Sequence, residues 1–499
     1  MLYLGIDVGT TAVKAAAFSP EGERQAVYSL PTETLSPHPG WSEQDMDGLW
    51  ELVCQAIVGV MQQVDGSTIA AIGVAGQGDG FWALDQDLRP ARNGVLWNDQ
   101  RAHAIVQRWN EDGTAAVLAR ASRTAIWAGT SAPVYRWICE TEPEEAARIA
   151  HVCNLKDWVG LCLTGNLATD LTEAAIPFLD YETLTYVEAA FERCGLPELR
   201  RKVLEPRRSE ERLGGLGAAA AARLGLASGI PVAVGLMDLP AMHVGAGLNR
   251  PGDGLLVLGT TAIVSVVSAP APPKDKPVGA TVLHPKGDVW MVAQAPQSGA
   301  SALDWFCTQY KETFPKGAED AAAVAQAVPP GSHGVLFMPF LTGERAPFVE
   351  PEASGAFLGM TATTTAADMA RAVMEGVAFS LRHCLDEAAL SDCRNFVVAG
   401  GGARSALWRQ ILADVMGVTV RFDEDGNLGL WGAALIGAGA AGLADPYATQ
   451  RQLGASLEQK PSAADKAVYD RAYRRYLEAV EALKPTWRAQ AVVAAAPGR

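Results

Sequence analysis

The sequence predicts an α/β protein built as two related domains facing one another across a cleft, and three observations lead there. The first lies at the N-terminus: Tyr3 to Val8 reads as a strand, Gly9-Thr10-Thr11 as a tight turn, and Ala12 to Phe18 as the returning strand. The second is its repetition about half a chain later, where Gly254 to Leu258, Gly259-Thr260-Thr261-Ala262 and Ile263 to Val267 follow the same plan. The third is a series of short apolar strands that run into glycine-rich loops, where open α/β sheets place their ligands.

Glycine at position 9 permits a turn that a side chain would block. Thr10 and Thr11 then offer hydroxyls and backbone N–H groups in a concavity suited to phosphate oxygens. Asp7 beside it makes sense if a divalent cation sits between carboxylate and phosphate. One such hairpin reads equally well as an ordinary sheet edge with a solvated Asp. The pair favours a polyphosphate held between two Gly-Thr turns.

The 499 residues suggest two or three domains, and 49% hydrophobic content supplies large cores. A formal charge of −15 argues against a nucleic-acid or anionic-membrane surface. It leaves room for an anionic substrate, because a few backbone donors and one metal hold a phosphate locally. The 8 cysteines form no Cys-x-x-Cys pair and read as reduced thiols rather than a disulfide frame or zinc site. Asp7 interrupts the apolar start and no basic region precedes it, so no signal peptide is expected. A long uncharged run, Gly426 to Ala444, is Gly/Ala-rich and reads as a closely packed buried helix rather than a membrane span. A soluble cytoplasmic protein is the expectation. There is no Gly-Lys-[Ser/Thr] P-loop, no Gly-x-Ser-x-Gly elbow, no His-Glu-x-x-His and no Gly-x-Gly-x-x-Gly after the first strand, and the 7 histidines lack ligand spacing.

Along the chain, Ser36 to Trp41 is a loop, and Ser42 to Asp45 leads into a helix through Cys54, Ile57, Val58 and Met61. Trp41 either stacks on a ligand or covers a core edge. Ile69 to Ala75 is a strand running into Gly76-Gln77-Gly78-Asp79-Gly80. Phe81 to Asp85 and Val95 to Trp97 are further strands, the latter ending in Asn98-Asp99-Gln100-Arg101. Gln77, Asp79, Trp97, Asn98 and Asp99 therefore collect at neighbouring strand ends. Amides and carboxylates for hydroxyls with an aromatic face for C–H bonds make a polyol site; turn-forming residues beside a packing Trp are the alternative.

Residues 102–225 read as mostly helical, with Gly165 ending a helix and Asp170 capping one. Ile230 to Val234 is a strand running through Gly235 to Asp238, and a helix spans Leu239 to Gly247. At a helix N-terminus Asp238 is expected to stay ionised at neutral pH. It suits the carboxylate that takes a proton from an attacking hydroxyl in phosphoryl transfer, or it is a plain N-cap.

In the second half, Gln297 to Ser301 opens a helix and Gly334 to Phe340 is a buried strand. That strand ends at Gly343-Glu344-Arg345-Ala346-Pro347, whose Glu-Arg pair has a structural reading. Ala366 to Leu381 is a long amphipathic helix, Asn395 to Ala399 a strand into Gly400-Gly401-Gly402-Ala403-Arg404-Ser405, and a helix starts near Ala406. Ala463 to Leu483 reads as a surface helix, with Val468, Ala472, Leu477 and Val480 on one side, stopped by Pro485.

Taken together these segments resemble the FGGY carbohydrate kinases of the actin/hexokinase/Hsp70 superfamily. The resemblance rests on Gly5 to Thr11, Gly40 to Asp45, Gly76 to Gly80, Leu96 to Arg101, the loop at Asp238 and Gly259 to Thr261. It continues through Gly343 to Pro347, Arg371 to Phe379 and Gly400 to Ser405. It implies two actin-like (ribonuclease H-like) domains with ATP in the cleft: residues 1–245 on the sugar side, 246–445 on the nucleotide side, and a helical tail over 446–499. By resemblance Asp238 is the catalytic base and Asp7 the carboxylate that works with Mg²⁺, through a bridging water. Gly9, Thr10, Thr11, Gly259, Thr260 and Thr261 fall on the phosphate hairpins. Gly299, Gly401, Gly402, Ala403 and Ser405 fall on the nucleotide side, and Gln77, Gly78, Asp79 and Trp97 on the sugar stretch.

The Gln77-Gly78-Asp79-Gly80 run departs from the Gln-Met-His-Gly of xylulokinases and looks closer to erythritol-kinase and L-xylulose-kinase relatives. Asp79 should act as a pure acceptor for two hydroxyls of a linear polyol or ketose, and Gly78 should leave space nearby. Leu239, where glycerol kinases carry Gln, weakens the case for glycerol. The reaction implied is phosphorylation of a primary hydroxyl on a four- or five-carbon substrate by Mg-ATP, with domain closure excluding water. No nucleic acid or membrane partner is implied, and a homodimer fits the relatives. A non-catalytic actin-like ATPase or regulator would share the hairpins without needing the Gln77, Asp79 and Trp97 cluster.

Overall fold

The computed structural model describes residues 1–174, 176–269, 279–388, 390, 393–448 and 458–494. The chain divides into two compact units, each assembled from three segments. The first comprises Met1–Asn249, Ala269–Met291 and Asn427–Arg451, the second Arg250–Ser268, Val292–Gly426 and Gln452–Arg499.

Unit 1 is organised by a seven-stranded sheet. Six strands, β1 (Leu2–Val8), β2 (Ala12–Phe18), β3 (Arg24–Pro31), β4 (Ile69–Gly76), β5 (Arg212–Gly215) and β6 (Pro231–Ala233), lie in the order β5-β6-β4-β1-β2-β3. The seventh, β7 (Leu236–Met237), also pairs with β4. β1 and β2 are antiparallel with Val8 opposite Val13, whereas β4 runs parallel to β1 with Gly76 opposite Val8. Met237 of β7 is likewise parallel to and opposite Gly76. The carboxyl ends of β7, β4 and β1 are therefore neighbours, and the residues following each are delivered to one place.

Strand alternation sorts β1 between two layers. Leu4, Ile6 and Val8 pack with Leu49, Val53, Ile57 and Val60 of the helix Met46–Met61. Asp45 caps that helix by accepting the Asp47 N–H. Tyr3 on the opposite face packs with Trp431 and Leu435 of the helix Leu428–Ala440. The sequence puts this Gly/Ala-rich helix in the second domain, and its packing joins it to unit 1. The reason is steric: a Cβ at Gly5 would lie 2.0 Å from Leu430 O, and one at Gly73 1.8 Å from Ala433 O. Gly245 and Leu428 O, and Gly432 and Ala241 O, make the same approach between this helix and Asp238–Ala246. Added methyls at such backbone contacts cost about 1–3 kcal/mol each in overpacking.

The stretch from Phe81 to Leu199 builds a separate helical layer around Val95, Ile105, Leu118, Tyr135 and Phe191. Trp41 belongs to this scaffold. Its ring meets Trp137 edge-on and carries the Arg101 guanidinium 3.9 Å from its centroid, while Arg101 bonds Asp99 and Glu43.

Unit 2 contains most of a second seven-stranded sheet. Its strands β8 (Asp253–Leu258), β9 (Ala262–Ser268), β10 (Trp290–Gln294), β11 (Asn395–Ala399), β12 (Thr419–Phe422) and β13 (Glu458–Gln459) lie in the order β10-β9-β8-β11-β12-β13. A hairpin followed by a parallel neighbour, β8-β9 with β11, repeats the plan of β1-β2 with β4.

Two helices differ from expectation. Ala366–Glu387 is buried on nearly every side from Asp368 to Leu385 rather than amphipathic. Its charged residues are satisfied internally: Arg371 pairs with Glu375 at 2.8 Å, and Tyr469, Ser332 and the Gly331 N–H complete the Glu375 shell. The C-terminal helix runs Ala463–Ala494 straight through Pro485, with one face exposed and Ala472 and Val480 on the buried one. Tyr469, Tyr473, Tyr476, Val480 and Trp487 are core residues, with Trp487 edge-on to Phe340. Burial of aromatic side chains on both sides of the proline outweighs the roughly 3 kcal/mol that an interior proline costs.

All 8 cysteines are free. Among the described residues, no helix is long and apolar enough to cross a membrane.

Candidate functional site

Three aligned strand ends of unit 1 each bring one carboxylate. Asp7 is the penultimate residue of β1, on the face shared with Gly5, and its Oδ2 lies 3.6 Å from where a Cβ on Gly429 would sit. Asp79 follows β4 in the left-handed region (φ 61), ahead of Gly80 at φ 79. Short polar side chains tolerate this conformation, and it turns the loop sharply over the strand end. Asp238 is the first residue of the helix Asp238–Ala246, and the Leu239 N–H donates to its Oδ1 at 2.6 Å. The preceding Met237 N–H donates to Thr172 Oγ1, which anchors the start of that helix.

Burial and mutual repulsion reset these groups. Asp238 is pushed up to about 7, first by desolvation and then by the Asp7 charge, against the opposing pull of backbone N–H groups. The expectation that it stays fully ionised at neutral pH is therefore corrected: at the helix start, lost hydration outweighs the dipole. Asp79 is also raised to about 7, by desolvation and then by Asp238, so it is not a pure acceptor and can donate when protonated. Asp7 is raised by burial, with only Lys14 drawing it down. A recessed carboxylate with so little local compensation fits a cation ligand.

The sugar-side residues do not all point at a ligand. Gln77 is buried, accepts the Thr10 hydroxyl proton at Oε1 (2.7 Å) and donates through Nε2 to Gln44 Oε1 (2.7 Å). Trp97 Nε1 donates to Thr10 Oγ1 at 3.1 Å. Asp99 is buried and accepts from the Ser42 N–H and Arg101, a structural duty, while Asn98 is exposed. The space expected at Gly78 is filled, since a Cβ there would lie 2.5 Å from Met237 Cγ and Sδ. Gly9 also has another explanation. It is not at positive φ, and a Cβ would meet only Ala12 O at 3.4 Å, so the turn alone does not demand glycine.

In unit 2 the nucleotide-side residues form one contiguous set. Gly259 O accepts the Ala300 N–H at 2.7 Å and Thr260 O accepts that of Gly299 at 3.1 Å. A Cβ on Gly299 would lie 2.5 Å from Thr261 C. Gly400, at φ 97, lies against Leu258, and Gly402 lies against Leu258 and Ala300. A Cβ on Gly401 would meet nothing within 4 Å. Ala403 is buried, and Ser405 caps the helix Ala406–Met416. Glu344 accepts the Gln297, Arg345 and Ala346 N–H groups, which holds the segment before Gly299 and gives the Glu344 carboxyl a structural role.

Sequence reasoning missed Gln44, Met237 and Thr172. Gln44 sat inside a quoted motif and read only as the approach to a helix; Met237 and Thr172 carry no local signal of their tertiary duties.

The FGGY family of carbohydrate kinases matches the chain twice, its N-terminal domain over residues 2–245 and its C-terminal domain over residues 254–441. The chain is 31% identical to the L-xylulose/3-keto-L-gulonate kinase of Escherichia coli (strain K12) over 97% of each protein. It is 28% identical to the erythritol kinase of Brucella abortus (strain 2308), again over 97% of each. Among solved structures, the xylulose kinase from Rhodospirillum rubrum superposes with a TM-score of 0.87 at 27% identity, covering 98% of this chain and 100% of the other.

Proposed function

Because the chain belongs to the FGGY family of carbohydrate kinases and is a sugar or polyol kinase, we propose that it transfers the γ-phosphoryl group of ATP to a primary hydroxyl of a linear four- or five-carbon ketose or polyol. L-Xylulose and erythritol, named in two relatives, are the leading acceptors. The observation that carries this reading is the recessed trio Asp7, Asp79 and Asp238 at adjoining strand ends, with Asp238 tuned to about 7. A base poised near the working pH takes a proton most effectively.

Asp238 accepts the hydroxyl proton as the oxygen attacks the terminal phosphorus. Asp79, able to donate as well as accept, orients neighbouring hydroxyls. Asp7 would hold Mg²⁺, which supplies neutralisation of charge on the phosphoryl oxygens. Main-chain N–H groups at the Thr10/Thr11 and Thr260/Thr261 turns and the loop at Gly401 bind phosphate and nucleotide. Glycine at positions 9 and 401 leaves the backbone open to such a ligand. The absence of a spanning helix among the described residues and the character of the family support a cytoplasmic setting; a homodimer is part of the same reading.

The test is ADP release measured across L-xylulose, D-xylulose, erythritol and glycerol. The expected result is strong acceptor-dependent release with L-xylulose or erythritol and little with glycerol. Release that is independent of every acceptor would replace this reading with that of a sugar-free ATPase.

A further inference from the structure

Four hydrogen bonds tie the phosphate hairpin to the stretch proposed to hold the sugar. Trp97 Nε1 donates to Thr10 Oγ1, and Thr10 Oγ1 donates to Gln77 Oε1. Gln77 Nε2 donates to Gln44 Oε1, and Gln44 Nε2 returns to the carbonyl oxygen of Thr10 at 3.1 Å. Thr10, Gln77 and Gln44 thus close a ring, with Trp97 feeding into it. Thr32 Oγ1 donates to the same Thr10 carbonyl at 2.6 Å. The two glutamines are 0% and 2% exposed, so neither amide can fall back on water.

Each partner fixes the next. Since Gln77 Oε1 takes the Thr10 proton, its NH₂ must face Gln44, and Gln44 then has only its NH₂ to offer Thr10 O. A connected buried network specifies one geometry, and a missing member leaves the others unpaired. The members come from separate elements. Gln44 lies in the short strand Glu43–Gln44, which pairs with Gly94–Val95 just ahead of Trp97, and Gln77 follows β4. Thr10 is the hairpin tip. Gln77 and Trp97 belong with Asp79 to the proposed sugar stretch, so a shift of either on acceptor binding changes the bonds of the Thr10 hydroxyl.

We infer that Gln44 is a positioning residue. Through this ring it couples acceptor occupancy beside Asp79 and Trp97 to the pose of the Thr10 tip, which favours transfer to the acceptor over loss of phosphate to water. The Thr10 hydroxyl is thereby committed to the protein, and the main chain of the tip faces the phosphate. This inference rests on the proposed kinase reading of both stretches.

The test compares the wild-type protein with Gln44→Met, which keeps volume but removes both amide functions. In the first arm, amide hydrogen exchange is followed without ligands. The peptide spanning residues 9–13, where the Gly9 N–H bonds Ala12 O, should exchange about tenfold faster in the variant, with β3 peptides unchanged. Equal exchange overturns the ring as a positioning device, whatever the substrate. In the second arm, ADP release is measured with no acceptor and with L-xylulose or erythritol. The ratio of acceptor-dependent to acceptor-free release should fall by about tenfold, with the ATP KM within about threefold of wild type. A preserved ratio, or a loss explained entirely by ATP KM, overturns the coupling. Should wild type show no acceptor dependence, the substrate reading fails while the exchange arm still decides the ring. If Gln44→Met does not fold, Trp97→Phe, which removes the indole donor to Thr10 together with part of the ring, is put through the exchange arm, which needs no acceptor.

Discussion

The two Gly-Thr-Thr-Ala hairpins share a sequence and a parallel neighbour strand, but their registers differ by one residue, Val8 facing Val13 and Leu258 facing Ala262, and they are held by different means. At the first, side chains add to the main-chain bonds of Thr11 O and Val8 O: Gln77, Trp97, Gln44 and Thr32 all bond Thr10. At the second, main chain does it, with the Gly299 and Ala300 N–H groups bonding the Thr260 and Gly259 carbonyls. The surroundings differ as well. The first hairpin keeps company with Asp7, Asp79 and Asp238, the second with Gly299, Gly400 and Gly402. The repeated strand-turn-strand plan divides the labour: one copy is wired by side chains to the proposed reacting groups, the other is packed against glycines.

The largest expected effect tests whether the chemistry resides on the first side. Asp238→Asn should lower kcat by roughly 10²–10⁴-fold with nucleotide binding retained, as read by steady-state kinetics and ATP-analogue titration. Retention of most turnover would remove Asp238 from the reaction. Next, Asp79→Ala should raise the acceptor KM by roughly 10–100-fold, the loss of a hydrogen bond to a charged group, with little change in ATP KM. A pH profile sharpens the same side. Because the base must be deprotonated, kcat/KM for the acceptor should fall by about tenfold per unit as pH drops below about 7. A profile flat down to pH about 5 would contradict the raised Asp238.

The smallest effects separate the two anchors by stability. Gly299→Ala drives a Cβ to within 2.5 Å of Thr261 C, so thermal denaturation should report a loss of about 1–3 kcal/mol. Gly9→Ala has only Ala12 O at 3.4 Å to meet, so stability should change by less than about 0.5 kcal/mol while ATP KM rises. Equal destabilisation by the two substitutions would erase the distinction drawn here.

Much of this was legible in the chain because the signals are local. Strand, glycine, Thr-Thr and returning strand need no distant information, and neither does the Gly/Ala composition that marks a helix made for close backbone contact. The family likeness extended that to the positions of Asp7, Asp79 and Asp238. What stayed hidden depends on neighbours far away in sequence. The protonation of Asp238 follows from how much water its surroundings exclude and from Asp7. The fullness beside Gly78 is the side chain of Met237. The persistence of a helix through Pro485 comes from Trp487 finding Phe340, and the burial of Ala366–Glu387 on all sides needs Tyr469 to satisfy Arg371 and Glu375.

The helix Leu428–Ala440 also bears on how the chain is made. Its backbone seats against Gly5 and Gly73, and it leaves the ribosome long after both strands have emerged. A nascent chain ending between β4 and this helix carries a β1-β4 pair whose Gly5 and Gly73 face lacks its partner. Unit 1 therefore reaches its final form only after translation has passed through two of the three segments of unit 2, which makes late stalling or C-terminal truncation a lesion of the N-terminal half.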